Sequence, residues 1–239
     1  MSTTFFYHAE AALHHQVDFD SSEATHISKA LRMKSGDTIE LTNGLGELFR
    51  AELIIDKHRV YAIPVASLHT TDEPIGLHLG IAPTKNPDRI EWLVEKAIEL
   101  GVGEISLLNC RYSERSRLSL DRLQRVAVSA LKQSRRSFLP TIHPVTDFKT
   151  WLSTVRAEQC FIAHCEENIP RALLRDVLAL GSSTCIAIGP EGDFSPDEIE
   201  QAAHASFKSV SLGSARLRTE TAALAAVHTY NLKHQTVLP

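Results

Sequence analysis

From about residue 75 to residue 234, short apolar runs alternate with amphipathic ones. This alternation constrains the fold more than any other feature of the 239-residue chain. Residues 77–82, 104–109, 160–165, 184–188 and 209–212 read as strands. Residues 86–100, 120–138, 171–180, 196–206 and 219–234 read as helices. The first helix carries Ile90, Leu93, Val94, Ala97 and Ile98 on one face, and Gly101 follows its end. In the second, Leu123, Val126, Ala127, Ala130 and Leu131 point inward. Strand and helix in turn mean an α/β domain, with a mostly parallel sheet and helices on both faces.

The amino-terminal part differs. Residues 23–33 form a short helix with Ile27, Ala30 and Leu31 inward, broken by Ser35-Gly36-Asp37. Strands follow at 38–42, 47–55 and 59–65, the first two joined by Asn43-Gly44-Leu45-Gly46, a strong hairpin signal. Consecutive short strands suggest a small antiparallel barrel. The polar stretch before Pro74 marks the boundary, giving domains at 1–72 and 73–239.

Two strand ends near the carboxyl terminus carry glycine. One is Ile188-Gly189-Pro190-Glu191-Gly192-Asp193, leading through Ser195-Pro196-Asp197-Glu198 into a helix. The other is Leu212-Gly213-Ser214-Ala215-Arg216-Leu217-Arg218-Thr219-Glu220-Thr221-Ala222. Open α/β sheets bind ligands at the carboxyl ends of strands, so two such ends could build one cofactor site. Solvated arginines on ordinary connections are the simpler alternative.

These two segments resemble the carboxyl-terminal signature of the SPOUT methyltransferases, and more closely the RsmE family, which methylates uridine N3 in small-subunit (16S) ribosomal RNA. The resemblance implies a carboxyl-terminal trefoil knot, a homodimer and S-adenosylmethionine as cofactor. It implies cofactor contacts from Ala163, Ile188, Gly189, Pro190, Glu191, Gly192, Leu212, Gly213, Leu217, Arg218 and Thr219. Asp193 stands where many members have a second glycine, so a small adjustment of loop geometry is expected. Arg218 is the first candidate to stabilise charge on the uracil oxygens, and Glu220 or Glu191 to orient the base or accept a proton, the alternative for either glutamate being a helix cap. The segment from His26 to Asp37 resembles the family's PUA-like barrel, with Lys29, Arg32 and Lys34 as RNA contacts or merely a solvated helix end. Lys85, Arg89, Arg115, Arg135 and Arg136 fall in further matching segments and complete the RNA set. Arg135 and Arg136 would also suit the negative end of a helix.

The net charge of −4 argues against an RNA partner until its distribution is considered. Between Arg111 and Arg136, eight basic residues face only Glu114 and Asp121. Cys110, Cys160, Cys165 and Cys185 form no C-x-x-C pair, and the histidines form no H-E-x-x-H, so neither disulfides nor a metal is expected. No run approaches the ~18 apolar residues of a membrane span, and the start lacks a signal peptide's pattern, so a cytoplasmic enzyme is expected. Two other readings remain: a SPOUT enzyme for another base or a ribose hydroxyl, and a non-catalytic ribosome assembly factor.

Overall fold

The computed structural model describes residues 4–57, 59–68, 76–114 and 118–234. It divides into two compact units. One holds residues 1–74 with Leu131–Leu139, the other Ile75–Ala130 with Pro140–Pro239. The expected domain boundary lies outside the described residues.

In the first unit, β1 (Thr4–Tyr7), β2 (Val17–Asp18), β3 (Thr38–Thr42), β4 (Leu48–Asp56) and β5 (Arg59–Leu68) form one sheet, ordered β1-β3-β4-β5-β2. The β3–β4–β5 meander is antiparallel as expected, whereas β1 joins β3 in parallel. Phe6, Ile27, Ile39, Leu41, Phe49 and Leu53 fill its core. Asp20 caps α1 (Ser21–Thr25) by accepting from the amides of Ser22 and Glu23. The chain then widens into a π turn, His26–Ala30. That turn replaces the regular helix expected over 23–33. Ile27 is buried as read, but Ala30 and Leu31 face solvent, because wider turns rotate them off the inward face.

The segment 131–139 completes this unit. Leu139 N–H donates to Gly44 O (2.9 Å), and Thr42 Oγ1 and Gly46 N–H both donate to Ser137 O. Lys132 pairs with Glu23 at 2.8 Å. The helix α3 (Leu120–Ser134) therefore stops four residues short of expectation, at Arg135 with φ 55°. Beyond it, the backbone bonds to the hairpin loop in place of a further helical turn.

The second unit has a seven-stranded parallel sheet, ordered β10-β12-β9-β11-β6-β7-β8. Its strands are β6 (Leu77–Ile81), β7 (Glu104–Asn109), β8 (Thr141–Asp147), β9 (Gln159–Ala163), β10 (Ala172–Leu173), β11 (Thr184–Ile188) and β12 (Lys208–Ser211). Helices α2 (Pro87–Glu99) and α7 (Thr219–His234) pack together, with α7 against β6 and β11. Helices α4 (Phe148–Thr154) and α6 (Pro196–His204) share another cluster with Phe148, Trp151, Ile199 and Ala202, where Cys185 and Ala187 of β11 also point. The five inward residues read for α2 are all buried. In α7, Ala223 and Ala226 belong to the core. Two elements depart from the sequence reading. Residues 141–154 supply an edge strand and α4 that were not expected. Residues 171–180, read as one helix, instead give β10 and the single turn α5 (Leu174–Val177).

Candidate cofactor site and basic residues

The sheet brings β12, β9, β11 and β6 side by side and parallel, so their carboxyl ends line one edge. The chain builds β6, β7 and β8 in one direction and then lays β9 beyond the position of β11. The order therefore reverses between β6 and β11, and such a reversal opens a crevice at the strand ends.

The loop after β11 spans this point. Built Cβ atoms would stand 3.0 Å from the Phe194 ring at Gly189, and 3.0 Å from Tyr112 Cβ at Gly192, so both positions are held to glycine by close approach. Asp193 N–H closes a turn on Pro190 O at 2.9 Å. Glu191 Oε1 accepts from Lys85 N–H (3.2 Å) in the loop after β6, across the reversal point. The loop ends at Ser195, which caps α6 in a reciprocal box with Glu198. Buried Glu198 also accepts from Arg111 N–H at 2.8 Å, tying α6 to the loop after β7.

In the loop after β12, Ser211 Oγ contacts both Gly213 N–H and Gly213 O, and Gly213 has φ 130°. Leu212 and Leu217 are half-buried, Arg216 and Arg218 exposed, Thr219 and Glu220 buried. Arg218 O accepts from Ala222 N–H (2.8 Å), which anchors its backbone to α7. Glu220 Oε1 lies 3.7 Å from Arg89 Nε, and its buried Oε2 has no hydrogen-bond partner among the described residues. The β6–α2 connection thus reaches the loop after β11, through Lys85 to Glu191, and the first turn of α2 reaches the start of α7, through Arg89 to Glu220.

Of the other expected cofactor residues, Ile188, Gly189 and Pro190 are buried at the end of β11, Glu191 and Gly192 are exposed, and Ala163 ends β9 half-buried. Lys85 is exposed and pairs with Glu114 at 2.9 Å, which raises its pKa. In the first unit, Lys29, Arg32 and Lys34 are exposed, Arg32 with φ 54°. Arg135 pairs with Glu40 and sits 5.7 Å from the Phe5 ring centroid, and Arg136 is half-buried. Arg115 lies outside the described residues. The sequence reading missed Tyr112, the Glu198 tie and the Asp193 bonds described below. The S-x-x-E spacing at Ser195–Glu198 was the one available signal for Glu198.

Cys110 and Cys185 suit no nucleophilic role: burial pushes both thiols up, with carboxylates adding to the effect at each. His164, beyond β9, is buried, with Nδ1 accepting from Glu166 N–H and Nε2 unpartnered among the described residues. Burial lowers its pKa, and burial likewise lowers that of His78, whose Nε2 meets Ser106 Oγ at 2.8 Å. Both are lowered from 6.5, so the unfolded chain binds their protons more readily than the native one. The stability this preserves is full above that value and is lost as pH falls below it towards the native pKa values. Thermal midpoints are therefore expected to fall between about pH 7 and about pH 5. In His78→Gln the fall should be shallower, and an equal slope would refute the assignment.

The chain matches the family model described as an RNA methyltransferase domain over residues 71–231, and the RNA methyltransferase PUA domain over residues 19–65. The chain belongs to the RsmE family of RNA methyltransferases. A curated RsmE relative, ribosomal RNA small subunit methyltransferase E of Rickettsia conorii, is 29% identical, covering 93% of this chain and 92% of its own. A probable rRNA-methyltransferase from Porphyromonas gingivalis is 37% identical, with a TM-score of 0.86 over 96% of this chain and 98% of its own. The Neisseria gonorrhoeae ribosomal RNA small subunit methyltransferase E, solved bound to S-adenosyl methionine, is 28% identical, with a TM-score of 0.86 over 98% of both chains. The parallel sheet with its helices, and the small amino-terminal PUA-like sheet, are those of this RsmE architecture.

Proposed function

We propose that this chain methylates N3 of a specific uridine in small-subunit 16S ribosomal RNA, using S-adenosylmethionine. The observation that carries this reading is the likeness to the cofactor-bound Neisseria gonorrhoeae enzyme over 98% of the chain, with both glycine loops intact at the ends of parallel strands that flank β9. The local chemistry suits that cofactor. Gly189 and Gly192 let the loop after β11 pack closely on Phe194 and Tyr112, the backbone of Leu212, Gly213, Leu217 and Thr219 offers donors and acceptors for adenine, and Glu191 and Glu220 suit a cationic ligand. Ala163, Ile188 and Pro190 complete the wall.

When bound, S-adenosylmethionine supplies a methyl group activated on a sulfonium sulfur. The protein's part is then positioning and charge stabilisation. Arg218, exposed on its helix-anchored backbone, donates to the uracil oxygens as the imide loses its proton. Glu220, buried beside Arg89, orients the uracil or accepts its imide proton, a part that Glu191 could also play. The target uridine enters unstacked, since N3 is hidden within a base pair. Lys29, Arg32 and Lys34 on the PUA-like domain (1–72), with Lys85, Arg89, Arg115, Arg135 and Arg136, hold the RNA backbone. The reading includes a knotted methyltransferase domain (73–239), a homodimer, a metal-free reaction and a cytoplasmic site of action on the assembled subunit.

The test is methyl transfer from labelled S-adenosylmethionine to small subunits lacking base methylation, followed by nucleoside mass analysis. A gain of 3-methyluridine is expected. Transfer to a different base or to ribose would overturn the specificity, and absence of both transfer and cofactor binding would leave an assembly factor.

A further inference from the structure

Asp193 is in the left-handed region, with φ 66°, which disfavours most side chains and which Asp is among the residues to tolerate. Its carboxylate spans two loops. Oδ1 accepts from the next amide, Phe194 N–H, at 2.8 Å. Oδ2 accepts from Cys165 N–H at 2.6 Å, across a separation of 28 residues. Cys165 lies just past β9, the strand between β11 and β12 in the sheet. The segment it belongs to is itself cross-bonded: Arg171 donates to His164 O, and Glu166 N–H to His164 Nδ1. A single side chain thus joins a stiff turn after β11 to a braced loop after β9.

We infer that Asp193 is a positioning residue of the cofactor site, holding the loop after β11 at a fixed distance from the loop after β9 through the Cys165 amide. This rests on the reading of these strand ends as the S-adenosylmethionine site. The competing account is that Asp193 is only a turn residue able to adopt positive φ. The two accounts rank substitutions differently. Glycine relieves the backbone cost but removes both bonds. Alanine removes both bonds and keeps the cost. Asparagine keeps one carbonyl oxygen for one of the two amides.

The experiment uses the full chain and the variants Asp193→Gly, Asp193→Asn and Asp193→Ala. Three quantities are measured: S-adenosylmethionine affinity by calorimetry, the thermal midpoint without cofactor, and hydrogen exchange at the Cys165 amide. Asp193→Gly is expected to keep its midpoint, to bind S-adenosylmethionine about tenfold more weakly (the size of one charge-assisted hydrogen bond) and to exchange the Cys165 amide at least about tenfold faster. Asp193→Asn should be intermediate, and Asp193→Ala should lose affinity and midpoint together. Asp193→Gly binding as tightly as the unaltered chain would overturn the inference in favour of the turn-only account. Unchanged Cys165 exchange in Asp193→Gly would also overturn it, by removing the tie. If the unaltered chain bound no S-adenosylmethionine, the cofactor reading itself would fail, and the exchange data would still decide whether the tie exists.

Discussion

Arg218→Ala is expected to slow methyl transfer by about 10²–10³-fold, the usual cost of removing one donor aimed at developing negative charge. Cofactor affinity should stay close to that of the unaltered chain. The reason for the split lies in how the residue is held. Its carbonyl accepts from Ala222 N–H, so the backbone that lines the loop is fixed by α7 whatever side chain it bears. The guanidinium is exposed and without a partner among the described residues, so little folding energy depends on it. Arg218→Lys should recover only part of the rate, because an ammonium restores the charge without the planar fork. Single-turnover transfer measured beside calorimetric affinity separates the two effects. A full rate in Arg218→Ala would remove the residue from the mechanism, and a matching fall in affinity would make it a cofactor ligand only.

The largest loss of stability is expected at Glu198. Its buried carboxylate accepts from Ser195 N–H and Ser195 Oγ, both at 2.8 Å, and from Arg111 N–H at 2.8 Å. Alanine would leave the buried Ser195 donors without their acceptor and release the part-buried Arg111 amide, at about 2–4 kcal/mol. Glutamine keeps one oxygen acceptor and should lose less. Urea unfolding measures the difference, and a loss under about 0.5 kcal/mol for Glu198→Ala, the usual range of an unremarkable surface change, would show that the donors find other partners. Because α6 begins directly after the glycine loop, weaker S-adenosylmethionine binding should accompany the loss.

What could be read in advance follows from the range of the forces involved. The inward stripe of α2 and its Asn86 cap are set by local periodicity and a local side-chain bond, and the sequence carries both. The edge strand β8 carries Pro144 and little apolar alternation, so nothing local announces it. Over 171–180, Leu173, Leu174 and Leu178 mimic a helical stripe, but β10 pairs with β12 and takes the first of them into the sheet. Arg135 could have continued α3, yet tertiary bonds to the hairpin loop outweigh helix propensity there. At the site, the glycines and the arginine loop were legible because they are contiguous. The bonds that hold them, Lys85 to Glu191, Arg111 to Glu198 and Cys165 to Asp193, join residues far apart in sequence, and no spacing encodes them.

The segment 131–139, which bonds to the hairpin loop of the first unit, sets an order on biosynthesis. The amino-terminal sheet leaves the ribosome first, and domains usually mature in that order. Here Ser137 and Leu139 provide partners for Thr42, Gly44 and Gly46, and they are translated only after the first strands of the second unit. A nascent chain halted near residue 100 should remain protease-sensitive at its hairpin, and one halted with residue 139 well clear of the exit tunnel should not. The two units are therefore not separable cassettes: exchanging the PUA-like part between relatives would need the 131–139 segment to travel with it.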